Sequence, residues 1–133
     1  MMKNLLTILI VLLFAQSGFG QNDSTKAKLL VLYHNNGKTK ANGHVLNGEK
    51  NGQWNYWDDN EKLIKSESYT FGKLDGEYKE YYSNGNTKIK GNYILDSEAI
   101  SIKNGYWFYY NEQGDLIKQF FYMDGIEYEN KLN

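Results

Sequence analysis

The side chains able to do chemistry in this chain are few and poorly grouped. Its two histidines, His34 and His44, stand either side of Gly37, on the two arms of a segment that turns there. Zinc needs three or four ligands of fixed geometry. No third histidine is near and the chain has no cysteine, so the pair reads as solvent-facing strand histidines and no metal is expected. Asp58 and Asp59, with Glu61 two residues on, form the densest acidic group. They lack the spacing of a calcium loop, and acidic and amide residues suit the geometry of a turn. The serines Ser66, Ser68, Ser83, Ser97 and Ser101 lie in no Gly-x-Ser-x-Gly elbow. No glycine cluster precedes a helix as a phosphate loop requires, and every glycine is assigned to a hairpin column. The expectation is a chain with no catalytic residue and no cofactor, and so not an enzyme.

What the chain has in abundance is rings. Aromatic residues make up 16% of it, twelve of them tyrosine, and proline is absent. These rings are periodic. With Gly52, Gly76 and Gly105 aligned, the second residue on is Trp54, Tyr78 and Trp107, and the fifth is Trp57, Tyr81 and Tyr110. The seventeenth is Tyr69, Tyr93 and Tyr122. An earlier, degenerate unit contributes Tyr33, Gly37 and Val45, which makes four units. The interval lengthens between Gly76 and Gly105, locating an insertion near Asp96 to Ile100. In this frame Asp75 and Glu77, which invite a paired-carboxylate reading, are replaced by Asn51 with Gln53 and by Asn104 with Tyr106. The carboxylates are therefore not a requirement of the repeat.

Each unit reads as a β-hairpin. Asn36-Gly37 and Asn84-Gly85 are strong two-residue turn signals, because both central residues of a type I′ turn need positive φ. Gln113-Gly114 echoes them. In the second unit Asp58-Asp59-Asn60-Glu61 replaces the glycine, which predicts a looser turn or a left-handed Asn60. Return strands alternate with period two, as in Leu63, Lys65, Glu67 and Tyr69. Consecutive hairpins joined by short glycine turns predict an all-β, elongated antiparallel meander forming a single twisted sheet. Trp54, Tyr78 and Trp107 should stack along it as one ladder, and Tyr69, Tyr93 and Tyr122 as another, each pair adding about 0.5–1.5 kcal/mol beyond area burial. Exposed members of Trp54, Trp57, Tyr78, Tyr81, Trp107 and Tyr110 form the candidate binding surface, suited to a protein partner or to a glycan.

The run Asp75-Gly76-Glu77-Tyr78-Lys79-Glu80-Tyr81-Tyr82-Ser83-Asn84-Gly85, with its counterparts from Asn51 and Asn104, resembles the MORN-repeat variant family. Proteins built of this repeat are often labelled YwqK-type antitoxins. The resemblance covers residues 29–128. It implies an elongated sheet of hairpins without enzymatic activity, which contacts proteins or, in some relatives, lipid. It carries over no catalytic residue, because the motif contains none.

The N-terminus sets the compartment. Met1 to Asn4 carries one lysine, Leu5 to Ala15 is apolar except for Thr7, and Gly18 and Gly20 supply small residues for a peptidase. That is the pattern of a secretory signal, with cleavage expected after Gly20. Eleven apolar residues fall short of the ~20 needed to span a bilayer. The expected organisation is a signal peptide over residues 1–20, a linker over 21–28, the repeat domain over 29–128 and a tail over 129–133. Losing Lys3 leaves fourteen basic residues against sixteen acidic, which gives no electrostatic attraction to nucleic acid. The expected role is a protein-interaction or structural module in the cell envelope, periplasmic or extracellular. The alternatives are an immunity protein against a toxin and a glycan-binding module. An exported antitoxin can meet only a toxin that reaches the same side of the membrane.

Overall fold

The computed structural model describes residues 26–129. The expected signal peptide, most of the linker and the last residues of the tail lie outside the described residues. Among the described residues nine strands form one antiparallel sheet in which spatial order equals chain order. They are β1 (Lys28–Tyr33), β2 (Thr39–Leu46), β3 (Glu49–Trp57), β4 (Leu63–Thr70), β5 (Lys73–Tyr81), β6 (Thr87–Leu95), β7 (Ser101–Tyr110), β8 (Leu116–Met123) and β9 (Ile126–Glu129). The meander of hairpins is thus present, and the insertion occupies the β6–β7 turn.

The turns divide into two kinds, and the assignment differs from that expected. At the hairpin tips the Gly37 N–H donates to the His34 carbonyl at 2.9 Å and the His34 N–H to the Lys38 carbonyl at 2.8 Å. Only Gly37 there has positive φ, and Asn84 likewise does not share the positive φ of Gly85. These are three-residue loops, a type I turn followed by one left-handed residue, and not type I′ turns. The second unit is no looser: Glu61, and not Asn60, takes the left-handed place at φ 65°. Asp58 fixes that tip, its carboxylate accepting from the Asn60 and Lys62 N–H groups at 2.9 Å each. The true two-residue turns, positive at both positions, are the connectors Asn47-Gly48, Phe71-Gly72 and Asp124-Gly125. The insertion converts the remaining connector into a tip-like turn with Ala99 at φ 57°.

Gly52, Gly76 and Gly105, the landmarks of the repeat, are not in turns. They lie inside β3, β5 and β7 at positive φ, where the pairing with β2, β4 and β6 shifts register. A bulge at each odd strand adds local twist. Gly43 and Gly91 are also outside any turn, in mid-strand and without positive φ.

Successive tips are stapled together by side chains. The His34 imidazole meets the Trp57 carbonyl at 2.9 Å, and because that oxygen can only accept, the ring nitrogen carries a proton. The Asn36 amide donates to the Asp59 carbonyl at 3.1 Å. Lys62 donates to the Ser83 carbonyl at 2.6 Å. Between the last two tips Tyr82 donates to the Tyr110 carbonyl, and Asn84 and Asn86 to that of Glu112.

Candidate functional site

Residues three apart on a strand point to opposite faces. The six rings expected to form one surface are therefore divided between two. Trp54, Tyr78 and Trp107 lie on one face, and Trp57, Tyr81 and Tyr110 take the other alternation. Trp54 and Trp107 are 1% and 2% exposed, and each covers a glycine on the neighbouring strand. A Cβ on Gly43 would stand 2.4 Å from the Trp54 ring, and one on Gly91 2.2 Å from the Trp107 ring. Both indoles donate to backbone carbonyls, Trp54 to His44 at 3.0 Å and Trp107 to Asn92 at 3.3 Å.

The two ring ladders merge. Tyr78 meets Tyr93 at 5.6 Å and Trp107 at 5.5 Å, Tyr93 meets Trp107 at 5.1 Å, and Trp107 meets Tyr122 at 6.2 Å. Trp54 stands outside this zigzag and contacts Tyr56. What interrupts the series is Glu67, 5% exposed, which occupies the place in β4 that Gly43 and Gly91 hold in β2 and β6. It stands between Trp54 on β3 and Tyr78 on β5, and a carboxylate there replaces the ring contact that Gly91 leaves room for between Tyr78 and Trp107.

The repeat therefore alternates in pairs. Lys50 projects its ammonium over Trp54, Tyr56 and Tyr69 at 4.8, 5.1 and 4.7 Å. Two units on, Lys103 lies over Trp107 and Tyr122 at 4.3 and 4.9 Å. In the unit between, Leu74 holds that position. Sequence reasoning missed these lysines and glycines. The signal was there in the matched spacing of Gly43 with Gly91 and of Lys50 with Lys103.

Around Glu67 the polar groups form a closed chain. Lys65 lies 2.8 Å from its carboxylate, and the Tyr69 hydroxyl donates to it at 2.6 Å. Lys50 donates to the Tyr56 oxygen at 2.6 Å, and Tyr56 and Tyr69 share a contact of 3.3 Å. Burial opposes ionisation of Glu67, but Lys65 and the two tyrosine hydroxyls outweigh it and hold the carboxyl below its usual range. Burial lowers the Lys50 ammonium, partly offset by Glu67. Burial, with Glu67 adding to it, pushes Tyr56 up to about 12. The same causes raise Tyr69 further. These shifted groups bind one another.

The remaining candidates are dispersed. His34 is half-buried at a tip, whereas His44 pairs with Leu29 near the far end of β1. The two are several strand residues apart, on the order of 16 Å. Among the described residues no three histidine, aspartate or glutamate side chains group as metal ligands.

The second face is uneven. On β2 to β5 it carries Asn42, Asn55, Ser66 and Lys79, cross-strand neighbours in one row. On β7 to β9 the row Tyr106, Phe121, Tyr128 crosses three strands, with Tyr106 and Phe121 rings 5.0 Å apart. Met123 and Ile126 form the next row. Tyr106 is 49% exposed and Ile126 60%. Toward the tips, Lys79, Asn86, Thr87, Lys90, Tyr110 and Gly114 line a groove of about 470 Å³. One unit earlier, Lys62, Leu63, Tyr81, Ser83, Asn84 and Gly85 line another of about 390 Å³.

No family model matches the chain, and no curated protein matches it either. Among solved structures, a chain of a GtfA/B complex bound to UDP and GlcNAc is similar at a TM-score of 0.37 and 15% identity, over 87% of this chain. This chain spans 27% of that one, and a likeness of that size carries no argument about activity.

Proposed function

We propose that this chain is an exported, non-enzymatic, MORN-like repeat protein that works as a protein-interaction module in the cell envelope. The observation that carries this reading is the uncharged, ring-rich row Tyr106, Phe121 and Tyr128 with Met123 and Ile126 beside it. Aromatic residues and methionine are enriched at protein interfaces and charge is depleted at their centres. A contiguous exposed apolar patch on a folded chain marks a contact site. The chemistry of the first face supports the same reading, since Glu67, Lys50 and the tyrosines around them serve each other's hydrogen bonds.

A photo-activated cross-linker at Tyr106, compared with one at the exposed Lys40 on the polar end of the sheet, tests it in intact cells. One envelope protein captured from Tyr106 and not from Lys40 is the expected result, and a toxin among the adducts would specify the immunity role. Equal or absent capture at both positions would count against the docking role. N-terminal sequencing of the same purified protein should begin at Gln21. An intact N-terminus in the cytosol would remove the envelope from the proposal.

A further inference from the structure

The two grooves at the hairpin tips are repeat equivalents. Lys62 and Asn86, Leu63 and Thr87, Tyr81 and Tyr110, and Gly85 and Gly114 hold matching places in them. Each groove thus has a tyrosine wall, a glycine at the left-handed tip position and polar groups at its rim. Successive tips are two strands apart, so the grooves recur at about 10 Å across the sheet. A ligand that fits both must repeat at that step.

We infer that this row of grooves binds an extended acidic polysaccharide running across the strands. A chain of linked pyranose rings offers apolar ring faces to tyrosine at a step of two sugars, and hydroxyls to amide and backbone groups between. An extended peptide repeats its side chains on one face at about 6.6 Å, out of step with the grooves. The acidic requirement comes from the larger groove. There Lys79 and Lys90 stand directly opposite one another on β5 and β6, and like charges so placed repel. Glu77 lies 2.8 Å from Lys79 and offsets that charge. Among the described residues no acidic side chain pairs with Lys90. A sugar carboxylate between the two ammonium groups satisfies both through charge-assisted hydrogen bonds. In the smaller groove Lys62 already donates to Ser83, and an ammonium retains further donors for a hydroxyl. The inference rests on residues separate from the docking row of Tyr106, Phe121 and Tyr128.

Titration of the mature protein with β-1,4-linked glucuronate hexamers, whose two-sugar repeat matches the groove step, followed by amide NMR shifts and calorimetry, tests it. Saturable binding is expected, with shifts centred on residues 81–90 and 110–114 and weaker binding of a β-1,4-linked glucuronate dimer that fills one groove. Lys90→Gln, a change at an exposed strand position that removes a like-charge neighbour of Lys79, should not lower the melting temperature and should weaken the hexamer about tenfold, the loss of one charge-assisted contact. Phe121→Ser should leave the affinity unchanged. The inference is overturned by absence of saturable hexamer binding, by equal affinity for the uncharged cellohexaose, or by an affinity that survives Lys90→Gln.

Discussion

At the scale of single residues, the tightest constraint is on atoms that are missing. Trp54 and Trp107 are buried because Gly43 and Gly91 leave their Cβ positions to the indole rings. An added methyl must displace a ring whose edge is already fixed by a hydrogen bond to backbone. Gly43→Ala and Gly91→Ala should each destabilise the fold by about 1–3 kcal/mol, read as a lower denaturant midpoint at unchanged slope. Glycine-to-alanine changes at Gly37 or Gly85, where no atom lies within 4 Å, act through backbone strain alone. The tyrosines set a second expectation. With Tyr56 raised from 10.0 to about 12, and Tyr69, Tyr78, Tyr93 and Tyr122 raised too, the folded chain holds phenolic protons that the unfolded chain releases above pH ~10. Bound protons in excess on the native side mean that stability falls as pH rises. Thermal melts should change little from neutral pH to about 10 and drop steeply between about 10 and 12. Glu67 acts in the opposite range: its lowered pKa contributes stability above the ordinary carboxylate range that is lost on acidification. The rings themselves were legible in the sequence, since their spacing is regular. That Trp54 and Trp107 would be buried was not, because it depends on Gly43 and Gly91 across a strand pair, and neither glycine is in the column that marks the repeat.

At the scale of elements, hairpins and their order follow from glycine spacing and period-two alternation, and both are in place. Turn type was harder to read. Asn84-Gly85 carries the composition of a type I′ turn, yet the type I turn with a following left-handed glycine uses the same two residues one position along. The strand pairing on either side decides between them, and pairing is a long-range property. The same holds for Gly52, Gly76 and Gly105, whose regularity reads as punctuation although each forms a bulge within a strand. The connector Phe71-Gly72 goes against local preference: Phe71 sits at φ 45° and is 56% exposed, and nothing in the structure explains a phenylalanine there. A left-handed residue with a Cβ costs roughly 1–2 kcal/mol, which asparagine bears more easily. Phe71→Asn should therefore stabilise the protein by about 1 kcal/mol, visible as a rise of several degrees in the melting temperature.

At the scale of the whole molecule, a sheet whose strands follow chain order holds together through neighbours alone, as repeat arrays do. Its two faces have separate tasks. One is filled by rings, lysines and Glu67, whereas the other carries the polar row Asn42, Asn55, Ser66 and Lys79 on β2–β5 and the ring-rich row Tyr106, Phe121 and Tyr128 on β7–β9. A composition count cannot show this division, because rings three apart on a strand are counted together although they face opposite ways. The side-chain staples between tips bear on mechanics. Tension applied at the two ends would concentrate on the outermost hairpin, since inner units are held on both flanks. Extension in an optical trap should give a sawtooth of rips, freeing about 80 Å of chain for the unit from Gly52 to Gly76 and about 100 Å for the longer one from Gly76 to Gly105. Removing the Lys62 anchor with Lys62→Ala should merge two of these rips or lower the force of one. The chain would then behave under load as a row of serial fasteners, yielding one at a time and limiting the force passed to whatever holds its ends.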